Sequence, residues 1–117
     1  MEIHLFDQEK ECVVQPAGST VFSEGDAADC MYAVLGGRVE IRVRGRVMEE
    51  VGRGGVFGEM ALVEDRPRSA TAVVVEEARL VPIERSRFLF LVQQNPFFAL
   101  QLMAVMAGRL RRMDGRV

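Results

Sequence analysis

Arg38-Val39-Glu40-Ile41-Arg42-Val43-Arg44 alternates a charged residue with a β-branched one at every step. Successive side chains of a strand point to opposite faces. This period of two therefore puts Val39, Ile41 and Val43 on one face and the charges on the other, as in a half-buried strand. Gly45 supplies a turn, and residues 47–51 form the return strand. Toward the N-terminus, Met31-Tyr32-Ala33-Val34-Leu35 is an apolar run ended by Gly36-Gly37. Before it, Thr20-Val21-Phe22 precedes Glu24-Gly25-Asp26, and Val13-Val14 precedes Pro16-Ala17-Gly18. Toward the C-terminus, Gly52, Gly54, Gly55 and Gly58 crowd one stretch. Residues 71–75 and 79–83 then make a last strand pair around Glu76-Glu77. Turn signals about every 8–12 residues predict an all-β sandwich or barrel over residues 11–84.

The character changes at Glu84. Ser86 is placed to cap a helix carrying Phe88, Leu91 and Val92. Asn95-Pro96 ends it and starts another, with Asn95 as N-cap and Pro96 at the first helical position. In the last helix, which reaches Met113, Phe98, Leu102, Met106, Leu110 and Met113 recur at steps of three or four. Phe97, Leu100, Ala104 and Ala107 widen that stripe, so the helix needs burial on more than one side. The β region covers one side; a second copy, a ligand or another domain would cover the other. The expectation is a single domain over residues 1–117, with a β-roll at about 11–84 and C-terminal helices at about 86–113.

Composition narrows the function. The 117 residues include 15 Lys plus Arg and 17 Asp plus Glu, for a net charge of −2. That balance argues against a generalised nucleic-acid-binding surface. His4 is the only histidine and sits near the terminus, so no Ser-His-Asp triad is expected. Cys12 and Cys30 are too few for a disulfide framework or a metal cluster and read as reduced thiols of a cytoplasmic protein. Residues 1–11 are mixed and acidic, unlike a signal peptide. No apolar run approaches the roughly 20 residues of a membrane helix. No catalytic group, metal site, cofactor or membrane contact is expected, and the chain reads as a module that is not an enzyme.

The stretch that bears on function is Phe57-Gly58-Glu59-Met60-Ala61-Leu62-Val63-Glu64-Asp65-Arg66-Pro67-Arg68-Ser69-Ala70-Thr71. Gly58 lets a ligand approach the backbone. Glu59-Met60-Ala61-Leu62 makes a short helical turn whose leading N–H groups can face an anion. Arg68, between Pro67 and Ala70, carries a fixed charge suited to a planar or polyoxygen anion. Glu59 is an acceptor suited to a sugar hydroxyl. Together these describe a ribose-phosphate site. A plainer reading stands beside it, in which Arg68 and Glu59 simply pair across a turn. Phe57, Leu62 and Val63 read as core, and Glu64, Asp65 and Arg66 as a solvated loop tip.

This stretch resembles the phosphate-binding cassette of the cyclic nucleotide-binding domain family. That family includes catabolite-activator-type transcription factors, the regulatory subunits of cyclic-nucleotide-dependent kinases and the cytoplasmic domains of some channels. The family pattern is Phe-Gly-Glu, an aliphatic, Ala-Leu, a spacer, then Arg, a small residue, Ala and often Thr, and every position is filled here. Gly25-Asp26, the run from Met31, Gly37 and Val39, Phe88-Leu89 and Asn95-Pro96 are similar to the family's flanking elements. The resemblance thus covers roughly residues 13–110.

The resemblance implies a mainly β fold, a double-stranded β-helix or jelly-roll barrel followed by C-terminal helices. It implies a ligand, cAMP more than cGMP, bound by Gly58, Glu59, Met60, Ala61, Arg68, Ser69 and Ala70. Arg68 would meet the exocyclic phosphate oxygens, with the Ala61 and Ala70 backbone N–H groups. Glu59 would accept from the ribose 2′-hydroxyl, and Gly58 would lie against the ribose. Ser69 could touch phosphate or base. The C-terminal helix would close over the purine, with Met103, Met106 and Leu110 as the residues to touch it, or pair with a second copy in a homodimer. It could also signal to an unidentified protein partner. Arg109, Arg111, Arg112 and Arg116 read as a solvated helix end. With no recognition helix after Arg109-Leu110-Arg111-Arg112, no sequence-specific DNA binding by this chain is expected. The alternative is a jelly roll without ligand, kept for protein interaction or dimerisation.

Overall fold

The computed structural model describes residues 2–114. Two long strands dominate it: β3 (Cys30–Val43) and β6 (Thr71–Glu84), which pair antiparallel from Cys30 opposite Glu84 to Arg42 opposite Thr71. The sequence reading divided each in two, at Gly36-Gly37 and at Glu76-Glu77. Those breaks are instead irregularities inside a continuous ladder, whose register shifts between Val34 and Val39. The physical reason lies at Gly37, which has φ +85°. A Cβ there would sit 2.1 Å from the Glu77 carbonyl oxygen. Glycine lets the two backbones pass closely, so the strands bend where a turn was expected.

The remaining strands dress this pair. β1 (Val13–Gln15) and β2 (Thr20–Phe22) lie against β6, while β4 (Arg46–Val51) and β5 (Val56–Phe57) lie against β3. All pairings are antiparallel. The β3–β4 hairpin turns through Arg44 and Gly45, both with positive φ. That is the backbone of a two-residue turn matched to strand twist. A short 3₁₀ helix (Glu59–Leu62) follows β5. The chain ends in α1 (Arg85–Gln94) and α2 (Pro96–Asp114). Ser86 does not cap α1: the helix starts at Arg85, directly off β6, and no side chain caps it. At the second start, the Asn95 carbonyl accepts the Phe98 N–H at 3.0 Å.

Both faces of the β3–β6 pair are covered, which explains the unbroken apolar run from Met31 to Leu35. One face, with Val34, Val39, Val74 and Leu80, packs against Phe22 and Phe57 inside the roll. The other, with Met31, Ala33, Val81 and Ile83, packs against Ile3, Phe6, Phe98 and Leu102. Phe98 is fully buried and meets Phe6 and Phe88 edge-on. That cluster seats α2 on the roll. No single helix among the described residues is long and apolar enough to cross a membrane. The opposite face of α2 stays open, with Phe97, Leu100, Met103 and Leu110 each about 60% exposed.

Candidate functional site

Residues 57–71 wrap around one buried guanidinium. The backbone of Arg68 is clamped to the preceding turn: its N–H donates to Asp26 O and its carbonyl accepts from Gly25 N, both at 2.8 Å. The Asp26 carboxylate in turn accepts the Ser23 N–H at 2.9 Å, closing that turn. The Arg68 side chain is 8% exposed. Nη2 donates to Cys30 O at 2.7 Å, Nη1 donates to Gly58 O at 3.2 Å, and the guanidinium lies 4.0 Å from the centroid of the Phe22 ring. Nε has no hydrogen-bond partner. Gly58, at φ +76°, makes this approach possible, since a Cβ there would lie 2.8 Å from Arg68 Nη1.

Arg68 and Glu59 do not pair. Among the described residues no carboxylate lies within ion-pair distance of Arg68. Two titratable groups beside it, Cys30 and Tyr32, supply no anion either. Burial pushes the Cys30 thiol up, partly offset by its hydrogen bond with Tyr32. Burial and that same bond push the Tyr32 hydroxyl up. Both stay neutral at physiological pH. A buried charge without a counter-ion is costly, so the site is electrostatically built for an anion.

Beside Arg68 opens a cavity of about 430 Å³, within the usual range of small-molecule sites. All seven sequence-selected residues, Gly58, Glu59, Met60, Ala61, Arg68, Ser69 and Ala70, line it. Ile41 and Val43 line it too, so the half-buried face of the alternating strand is a cavity wall. Phe57 and Leu62 are buried as expected, but Val63 is 58% exposed. Glu64 and Arg66, read as a solvated tip, stand at the cavity margin, where Arg66 Nε is 3.6 Å from Glu64 Oε2. The Ala61 N–H reaches Gly58 O at 3.2 Å, a long bond within the 3₁₀ turn.

The far wall is α2, in a way the sequence reading missed. Arg109, expected at a solvated helix end, instead sends its guanidinium into the site. Nη1 donates to Glu59 Oε1, Nη2 donates to the Val56 carbonyl, and Nε donates to Glu49 Oε2 at 2.7 Å. Arg112 and Met113 join it in lining the cavity, whereas Met103, Met106 and Leu110 do not. Met106 packs against the helix-side core, while Met103 and Leu110 face outward. Arg111 is exposed, and Arg116 lies outside the described residues. The partners of Arg109 lie at least 50 residues away in sequence, so no local pattern could flag it.

Residues 13–95 match the cyclic nucleotide-binding domain family. The chain belongs to that family. It is a cyclic nucleotide-binding regulatory domain with the mainly antiparallel jelly roll and C-terminal helices of its structural neighbours. The cyclic AMP receptor protein of Thermus thermophilus is 36% identical over 104 residues, covering 85% of this chain and 48% of that protein. The crystal structure of the Thermus thermophilus catabolite activator protein superposes with a TM-score of 0.80 at 36% identity, covering 89% of this chain and 51% of that one. The EAL enzyme Bd1971 is similar in both its cAMP-bound form (34% identical, TM-score 0.66, 86% of this chain and 28% of that one) and its cGMP-bound form (34%, 0.67, 90% and 29%). The chain thus spans about half the length of the receptor and activator proteins, and less of the EAL enzyme.

Proposed function

We propose that the chain binds a 3′,5′-cyclic nucleotide, cAMP in preference to cGMP, in the cavity beside Arg68 and passes that signal on through α2. The observation that carries this reading is Arg68: buried, without a carboxylate partner among the described residues, and lining a cavity of ligand size. Arg68 and the Ala70 backbone take the phosphate, with Ala61 and Ser69 alongside. Glu59 accepts from the ribose 2′-hydroxyl, and Gly58 and Met60 flank the sugar. Ile41, Val43 and Met113 offer apolar surface to the purine. The name of the cyclic AMP receptor relative favours cAMP, although the EAL enzyme has been captured with either nucleotide.

Residues 1–117 act as one sensing domain in this reading. They carry out no catalysis and do not themselves read DNA sequence. The open face of α2 pairs with a second copy or with the output the sensor controls. The two free cysteines, Cys12 and Cys30, suit a cytoplasmic setting. Charge-assisted hydrogen bonds are worth about 1.5–3 kcal/mol each. Two or three of them plus purine burial reach the roughly 8 kcal/mol of micromolar binding.

The test is calorimetric titration with cAMP, cGMP and, as a control, linear AMP. Saturable binding of cAMP that disappears in Arg68→Ala, with melting retained, is the expected result. Near-normal affinity in that variant would refute the assignment. Sedimentation of the nucleotide-bound chain as a single protomer would refute self-pairing at the concentration used.

A further inference from the structure

Glu49 has no role in the reading above, yet it ties α2 to β4. It lies on β4, and its side chain is only 22% exposed. Its two oxygens serve different residues of α2: Oε2 accepts from Arg109 Nε at 2.7 Å and Oε1 accepts from Arg112 Nη2 at 2.8 Å. A guanidinium is a rigid planar fork, so fixing Nε–H also fixes the direction of its far edge. That far edge carries the two N–H groups that reach Glu59 and the Val56 carbonyl.

We propose that Glu49 is a positioning residue for ligand binding: by gripping Arg109 from β4, it aims the guanidinium at Glu59 and fixes that carboxylate to accept the ribose 2′-hydroxyl. The inference rests on the cyclic nucleotide reading and names the part of the site that recognises ribose. Its physical basis is charge. Glu59 is 6% exposed and would face an incoming phosphate of the same sign. Arg68 is committed to the phosphate end, so Arg109 must neutralise Glu59. A long arginine held only at its tip could swing to the stronger anion once the nucleotide arrives. Glu49 removes that freedom from the opposite edge. Arg112, 64% exposed, is the outer and weaker half of the grip.

The experiment titrates the full chain with cAMP and with 2′-deoxy-cAMP, comparing wild type with Glu49→Ala. Glu49→Ala is expected to weaken cAMP by about tenfold, the scale of one charge-assisted hydrogen bond, and 2′-deoxy-cAMP by less than about twofold. Glu49→Gln, which keeps an acceptor, should fall between. Equal losses for the two nucleotides would reduce Glu49 to a general structural role and overturn the proposal. So would unchanged cAMP affinity, or a wild type that does not distinguish the two nucleotides. If Glu49→Ala does not fold, Arg109→Ala cuts the same link from the helix side and must show the same selective loss. A wild type that binds neither nucleotide would overturn the cyclic nucleotide reading itself, a result distinct from all of these.

Discussion

The two ends of the cavity are built differently. The cassette end is local: Gly58, the 3₁₀ turn and Arg68 fall within a dozen residues, and the Ser23–Asp26 turn holds them in place. The helix end is assembled from a distance. Arg109 joins α2 to β4, β5 and the 3₁₀ turn across at least 50 residues of chain. The first end presents an unpaired cation, whereas the second is already paired within the protein. An unpaired buried group can supply affinity directly, because a ligand relieves its desolvation cost. A group already paired within the protein gains less from a ligand, because its desolvation cost is met beforehand. In the proposed function, the cassette would therefore supply most of the affinity, and the helix contact would set the ribose preference.

The largest expected effect lies at the cassette. Arg68→Ala should reduce cAMP affinity by more than about a hundredfold, since it removes several charge-assisted donors at once. Gly58→Ala comes next. Its Cβ would press on Arg68 Nη1 at 2.8 Å, and φ +76° is strained for any L side chain. It should cost about 1–2 kcal/mol of stability and lower cAMP affinity severalfold. Gly45→Ala shares the positive φ but meets nothing within 4 Å. It should lose stability by thermal melting while keeping affinity in titration. The smallest effect belongs to the helix end: Arg112→Ala, which removes an exposed ion pair, should change cAMP affinity by less than about twofold. A loss from Arg112→Ala as large as that from Arg68→Ala would erase the distinction between the two ends.

The same difference decides what could be read in advance. The seven cassette residues were picked out through the resemblance of the contiguous stretch 57–71 to the family's cassette, and the structure brings all seven to one cavity. The strand pattern at Val39, Ile41 and Val43 was legible because alternation tracks burial; that this face lines a cavity was not. The bends at Gly36-Gly37 and Glu76-Glu77 were misread, since a glycine pair signals a turn and a bulge alike. Arg109 was misread because a cation in the last turns of a helix suits the helix dipole wherever it points. Only the docking of Phe98 and Leu102 onto the roll turns that side of α2, and Arg109 with it, toward Glu59. Met103, Met106 and Leu110 were selected for apolarity alone, but two of them face outward and the third packs into the core.

The cyclic nucleotide reading turns on the Arg68 guanidinium, which lines the cavity and would meet a cyclic phosphate there. The most direct measurement follows the Arg68 Nε–H resonance by ¹H–¹⁵N correlation NMR while cAMP is added, with adenosine as the phosphate-free control. The account predicts a downfield shift of that resonance on saturation with cAMP and no shift with adenosine. An Arg68 Nε–H that does not move at saturating cAMP would contradict it.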